Sequence, residues 1–132
     1  MRPTASRWLP ALLTYALAAV WLVNGLLCKV LLLVPRHQDI VARILGPAHA
    51  PLLTRLIGLA EIGMAVWVLS GRWRRLGVLT QIGLVLTMNL LEFWLAADLL
   101  LWGPLNLLFA GLFALGLYYY GFRLPAPRPA RP

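Results

Sequence analysis

Between Trp8 and Tyr120 the chain is made of four apolar stretches of bilayer length, separated only by short polar breaks. An α-helix rises ~1.5 Å per residue and the hydrocarbon core of a bilayer is ~30 Å thick, so a stretch of ~20 apolar residues crosses once. Inside hydrocarbon every backbone N–H and C=O needs a partner within the protein, which leaves helices as the structure for such stretches. The expected fold is therefore all-α, an integral membrane four-helix bundle. Its spans fall at about 8–34, 52–69, 76–96 and 99–120, within one domain covering residues 1–123. With 61% hydrophobic and 12% charged residues in a length of 132, nothing is left over for a sizeable soluble domain.

The breaks carry their own signals. Pro35 closes the first span, and in the connection that follows Ile40, Val41, Ile44 and Leu45 recur at helical spacing among Gln38, Asp39 and Arg43. That pattern predicts a short amphipathic helix lying in the interface between the first and second spans. Ser70 and Gly71 followed by Arg72, Arg74 and Arg75 make a tight basic turn, and Gly103 with Pro104 marks the last break. Residues 124–132 alternate proline with alanine and arginine, the composition of a disordered basic tail.

Charge then fixes an expected orientation. The net charge of +8 comes from 12 Lys and Arg against 4 Asp and Glu. In a soluble protein that balance would suggest nucleic acid, but here the arginines flank apolar spans, where the positive-inside rule accounts for them. With four spans, the N-terminus, the second connection and the C-terminus share one face. That face holds Arg2, Arg7, Arg72, Arg74, Arg75, Arg123, Arg128 and Arg131 and no acidic residue. The opposite connections hold Arg36 and Arg43, offset by Asp39 and Asp98. The expectation is a multi-pass protein of a bacterial inner membrane with both termini cytoplasmic and the lipid bilayer as its first partner. The opening apolar stretch is longer than a signal-peptide core and lacks a small-residue cleavage site, so it reads as a retained helix.

Within the spans lie the residues that bear on function. Lys29, Arg55, Glu61 and Glu92 are ionisable and at or within membrane depth, and their formal charges cancel. An unpaired charge in hydrocarbon costs at least ~2.5 kcal/mol, so two acids and two bases in so small a bundle imply mutual pairing. Lys29 or Arg55 is expected opposite Glu92, with Glu61 taking whichever base or amide remains. Asn24, Asn89 and Asn106 fall at similar depth, and Asn89 and Glu92, three residues apart, share a helix face. The candidate binding set is thus Asn24, Lys29, Arg55, Glu61, Asn89, Glu92 and Asn106, converging on the half of the bundle opposite the termini. Two readings stand: a network that fixes helix register, or a polar cavity for a quinone head group, a lipid head group or a small polar substrate.

Catalytic chemistry finds little footing. Cys28 is the single cysteine, so neither an intrachain disulfide nor a paired-thiol motif can form, and it reads as a small buried hydrophobe. His37 and His49 lie in one connection outside the spans with no ligand partner on a facing helix, so no metal or haem site is assembled. No nucleophile–base pair or phosphate-binding glycine loop is present, which argues against an autonomous enzyme.

Trp21, Gly25, Leu26 and Lys29 followed by Pro35, then Gly58-Leu59-Ala60-Glu61, the arginine turn after Leu69 and Gly103-Pro104-Leu105-Asn106, together resemble the DoxX-like family of small four-helix membrane proteins. Lys29 and Glu61 match the family pattern; Glu92 is less clearly part of it. The resemblance implies a bacterial inner-membrane protein. Founding members are similar to a small subunit of an archaeal thiosulfate:quinone oxidoreductase, and other relatives occur beside redox enzymes. The function this implies is an accessory or scaffold subunit of a membrane redox system, with a quinone- or lipid-facing pocket and no cofactor of its own. Its expected partners are a membrane oxidoreductase and a second copy of the chain. The alternative is a small multi-pass transporter or an ion or proton pathway, although four-helix drug exporters place their key glutamate in the first helix, where this chain has Lys29.

Overall fold

The computed structural model describes residues 5–125, all helix and connection. Helix α1 (Ala5–Leu22) continues without a break into π-helical turns over Val23–Val30. It is followed by α2 (Pro35–Leu45), α3 (Ala50–Ser70), α4 (Arg74–Leu95), a single 3₁₀ turn at Ala97–Leu99, and α5 (Leu105–Tyr118), which ends in π turns over Tyr119–Arg123. Four segments are long and apolar enough to cross a membrane: Trp8–Val30, Ala50–Ser70, Arg74–Leu95 and Leu105–Arg123. Their outer faces carry exposed Leu12, Leu59, Val66, Leu84 and Leu112, which in a bilayer meet lipid.

Local chemistry sets the boundaries. The first span stops at Val30 rather than Val34, because Val34 takes an extended conformation ahead of Pro35, as the pyrrolidine ring demands of its predecessor. Pro35 then opens α2 at a position where its missing N–H costs nothing, and Gly46, at φ 97°, closes it. Gly71, at φ 69°, ends α3 in the left-handed conformation that suits glycine. The last span begins at Leu105, not near Leu99, since Leu100 is extended and Gly103 sits at φ 54°. Of the tail 124–132, only Leu124 and Pro125 fall among the described residues.

The helices pack as two pairs, α1 along α3 and α4 along α5. At one end, where α1 begins and α5 finishes, the pairs close on each other through Leu17, Trp21, Met64, Val68, Val78 and Leu117. Two hydrogen bonds tie this packed end across the pairs. Trp21 Nε1 donates to Gln81 Oε1 at 2.7 Å, and Thr14 Oγ1 meets the Tyr120 hydroxyl. Arg74 caps the last turn of α5, donating to the carbonyls of Tyr120 and Leu124 with its guanidinium over the Tyr120 ring. At the other end the pairs part, and α2 lies across the gap with Ile40 and Val41 buried beneath it. The expected amphipathic helix is thus present as a roof, not as an element apart from the bundle.

Candidate functional site

The parting of the helix pairs leaves a partly open cavity of about 470 Å³, within the size range of small-molecule sites. Its floor rests on the packed end and is apolar: Val20, Trp21, Val85, Ala110 and Phe113. Above the floor the walls turn polar with Asn24, Lys29, Glu61, Asn89, Glu92 and Asn106, and α2 supplies Arg36 and His37 to the roof. Six of the seven residues expected to converge do so. The seventh, Arg55, is exposed, does not line the cavity, and has no ion-pair partner among the described residues. Six positions separate it from Glu61, about 120° around a helix, which turns it away from the wall that Glu61 occupies.

The pairing differs from expectation as well. Lys29 Nζ lies 2.7 Å from Glu61 Oε1, with the two side chains only 6% and 8% exposed, so Glu61 takes a base, as the expectation allowed, and it is the pairing of Glu92 with Lys29 or Arg55 that is not formed. Backbone proximity decides this. Gly25 and Gly58 face each other so closely that a Cβ on Gly25 would lie 2.5 Å from the Gly58 carbonyl oxygen, and one on Gly58 would lie 2.7 Å from that of Gly25. Lys29 stands four residues after the first glycine and Glu61 three after the second, so the crossing delivers both side chains to one level. The π turns over Val23–Val30 hold Lys29 inward while the chain bends toward α2. At 2.7 Å the ammonium supplies both the charge and the donor that the buried Glu61 Oε1 requires.

On the opposite wall, half-buried Glu92 makes neither a hydrogen bond nor an ion pair among the described residues. Asn89 and Asn24 each donate from Nδ2 to a carbonyl of their own helix, Val85 and Val20, both at 2.8 Å. Asn106 accepts from the Trp102 backbone N–H at 3.1 Å and so braces the turn into α5. Thr54, fully buried on α3, leaves its hydroxyl without a partner among the described residues.

The roof is latched. Arg43 on α2 makes a two-point contact with Asp98, at 2.8 and 3.1 Å, across to the α4–α5 connection. That bond holds Asp98 below the usual carboxylate range and raises Arg43. The His37 imidazole, under α2, is pushed down to about 4 by burial first, then by Lys29 and Arg36. His37 is therefore neutral near pH 7 and adds no charge to the site.

Arg36, His37 and Trp102 line the cavity as well, beyond the set expected from spans and loops, and Trp21 does so from within its span. For α2 the signal was present: Arg36, His37, Ile40 and Val41 lie on one helical face, which a roof must turn inward. Among the described residues no group of three or more His, Cys, Asp or Glu is placed to hold a metal ion.

No curated protein and no solved structure matches the chain. A family model does, across residues 18–119, a region that contains all four spans in whole or in large part, together with the glycine crossing, the ion pair and the roof. The chain belongs to the DoxX-like family.

Proposed function

We propose that this chain is a non-catalytic binding subunit of a membrane redox system, holding the head group of a quinone-type amphiphile in the roofed cavity and presenting it to an oxidoreductase. The observation that carries this reading is the layering of one cavity: an apolar, aromatic floor at Trp21 and Phe113 beneath a ring of amides and carboxylates. A flat polar ring on an isoprenoid or alkyl tail matches that layering, with the tail leaving between helices toward lipid. The described arginines at the packed end, Arg72, Arg74, Arg75 and Arg123, support placing that end on the cytoplasmic side of a bacterial inner membrane, with the cavity in the outer half.

Conduction, the competing reading, would need a path through the packed end. There Met64, Val68, Val78 and Leu117 are buried and Trp21 is bonded to Gln81, so in this conformation the cavity ends on a plug. The test is affinity purification in mild detergent followed by mass spectrometry of bound small molecules and proteins. The reading predicts a quinone near one per chain and a co-purifying oxidoreductase; wild-type protein that carries neither contradicts it.

A further inference from the structure

The two walls that face each other across the cavity, α1 with α3 on one side and α4 on the other, differ from most polar sites in what they leave unused. On α1, Asn24 commits its amide nitrogen to the Val20 carbonyl, so its carbonyl oxygen is the end without a partner. Asn89 on α4 repeats the arrangement with Val85. Reversing either amide would set two carbonyl oxygens against each other, so the orientation is fixed by its own helix. One turn beyond Asn89, Glu92 offers a carboxylate with no protein partner among the described residues. Across from it, the Glu61 carboxylate is taken up by Lys29 Nζ at 2.7 Å, which leaves the Asn24 carbonyl as the free group of that wall. On α1 and α4 the groups left wanting a partner among the described residues are thus acceptors: the Asn24 and Asn89 carbonyls and the Glu92 carboxylate.

Donors are placed differently. Lys29 is committed to Glu61, Arg36 and His37 belong to the roof, and the Asn106 amide nitrogen, whose oxygen braces the turn into α5, lies on α5 outside these two walls. A carbonyl group lodged between the walls would therefore face oxygen on both sides, which leaves it unsatisfied and adds repulsion. A hydroxyl there would donate. Charge narrows the class further: Lys29 and Arg36 balance Glu61 and Glu92, so the lining has no net charge with which to select an organic cation. What fits is a neutral head group with hydrogen-bond donors on opposite edges.

We infer that the cavity takes the reduced, dihydroxy form of its aromatic ligand in preference to the oxidised, dicarbonyl form, with Glu92 and Asn89 as the residues that read the difference. This rests on the proposed reading that the cavity holds a quinone-type head group. Binding alone is involved, and no electron or proton is transferred by this chain. Linkage gives the preference a consequence, because a site that holds the reduced form more tightly raises the midpoint potential of the bound couple. Each tenfold preference amounts to ~30 mV for a two-electron couple. A subunit with this property would draw quinol away from the enzyme that makes it, or hold it for the enzyme that consumes it.

The matched redox pair is its own control, since the two forms share size, ring and tail. The full chain in lipid nanodiscs is titrated calorimetrically under argon with a short-tailed 1,4-benzoquinone and, separately, with its quinol. The expected result is quinol binding at least about tenfold tighter. Glu92→Gln supplies a donor alongside an acceptor and should bring the ratio toward one. Because Glu92 has no protein partner among the described residues, the variant should fold as wild type does. Asn89→Leu is the second variant and should reduce the preference by weakening quinol binding alone. Equal affinities, tighter quinone, or a ratio unmoved by both substitutions overturns the inference while leaving a quinone-type site standing. Binding of neither form overturns this inference and the proposed function together.

Discussion

Gly25 and Gly58 determine where Lys29 and Glu61 meet, and the energetics of that meeting belong to the residue scale. A buried ion pair contributes little net stability, but removing one partner strands the other in a medium that cannot solvate it. Lys29→Met or Glu61→Leu alone should cost about 3–5 kcal/mol, while the double substitution should cost clearly less; thermal unfolding in detergent compares the three. Gly58→Ala drives a methyl group onto the Gly25 carbonyl and the Lys29 side chain, so it should destabilise by about 1–3 kcal/mol. Gly63→Ala, with nothing near its would-be Cβ, should be close to neutral in the same assay. His37 contributes a pH dependence whose sign follows from its depressed pKa. The unfolded chain takes up a proton near 6.5 and the folded one only near 4, so stability is complete above the first value and is lost as pH falls toward the second. His37→Gln should flatten that slope, read as melting temperature against pH.

At the scale of elements, α2 is the piece whose role was least legible in sequence. Its amphipathic pattern was plain, but an amphipathic helix beside a membrane can face lipid or protein, and periodicity alone does not choose. The structure turns Ile40 and Val41 onto the bundle and ties the helix to the α4–α5 connection through Arg43 and Asp98. Both groups are largely exposed, so the latch should matter for position more than for stability. Asp98→Asn should therefore leave the melting temperature nearly unchanged while raising amide hydrogen exchange across residues 36–45, and Arg43→Asp with Asp98→Arg should restore protection. The membrane spans, by contrast, could be read directly, because hydrocarbon imposes one rule on every residue. The largest boundary shifts fall where backbone chemistry intervened, at Val34 before Pro35 and at Gly103 before Pro104.

For the whole molecule, the arrangement is a bundle sealed at one end and parted at the other. The sealed half is built from apolar contacts and two buried hydrogen bonds; the parted half places most of the intramembrane polar residues around one space. That these residues sit at one depth was legible, since depth follows from counting along each span. Which of them pair was not, because pairing depends on the glycine crossing and on helix rotation, and so Arg55 was grouped with a set it does not join. If the parted half is a ligand site, photoaffinity labelling will concentrate on the residues that line it. A diazirine-bearing quinone irradiated with the protein in native membranes should label peptides containing Asn24, Glu61, Asn89 and Glu92, with excess untagged quinone removing the signal. Label spread over lipid-facing positions such as Leu59, Leu84 and Leu112, undiminished by competitor, would contradict it.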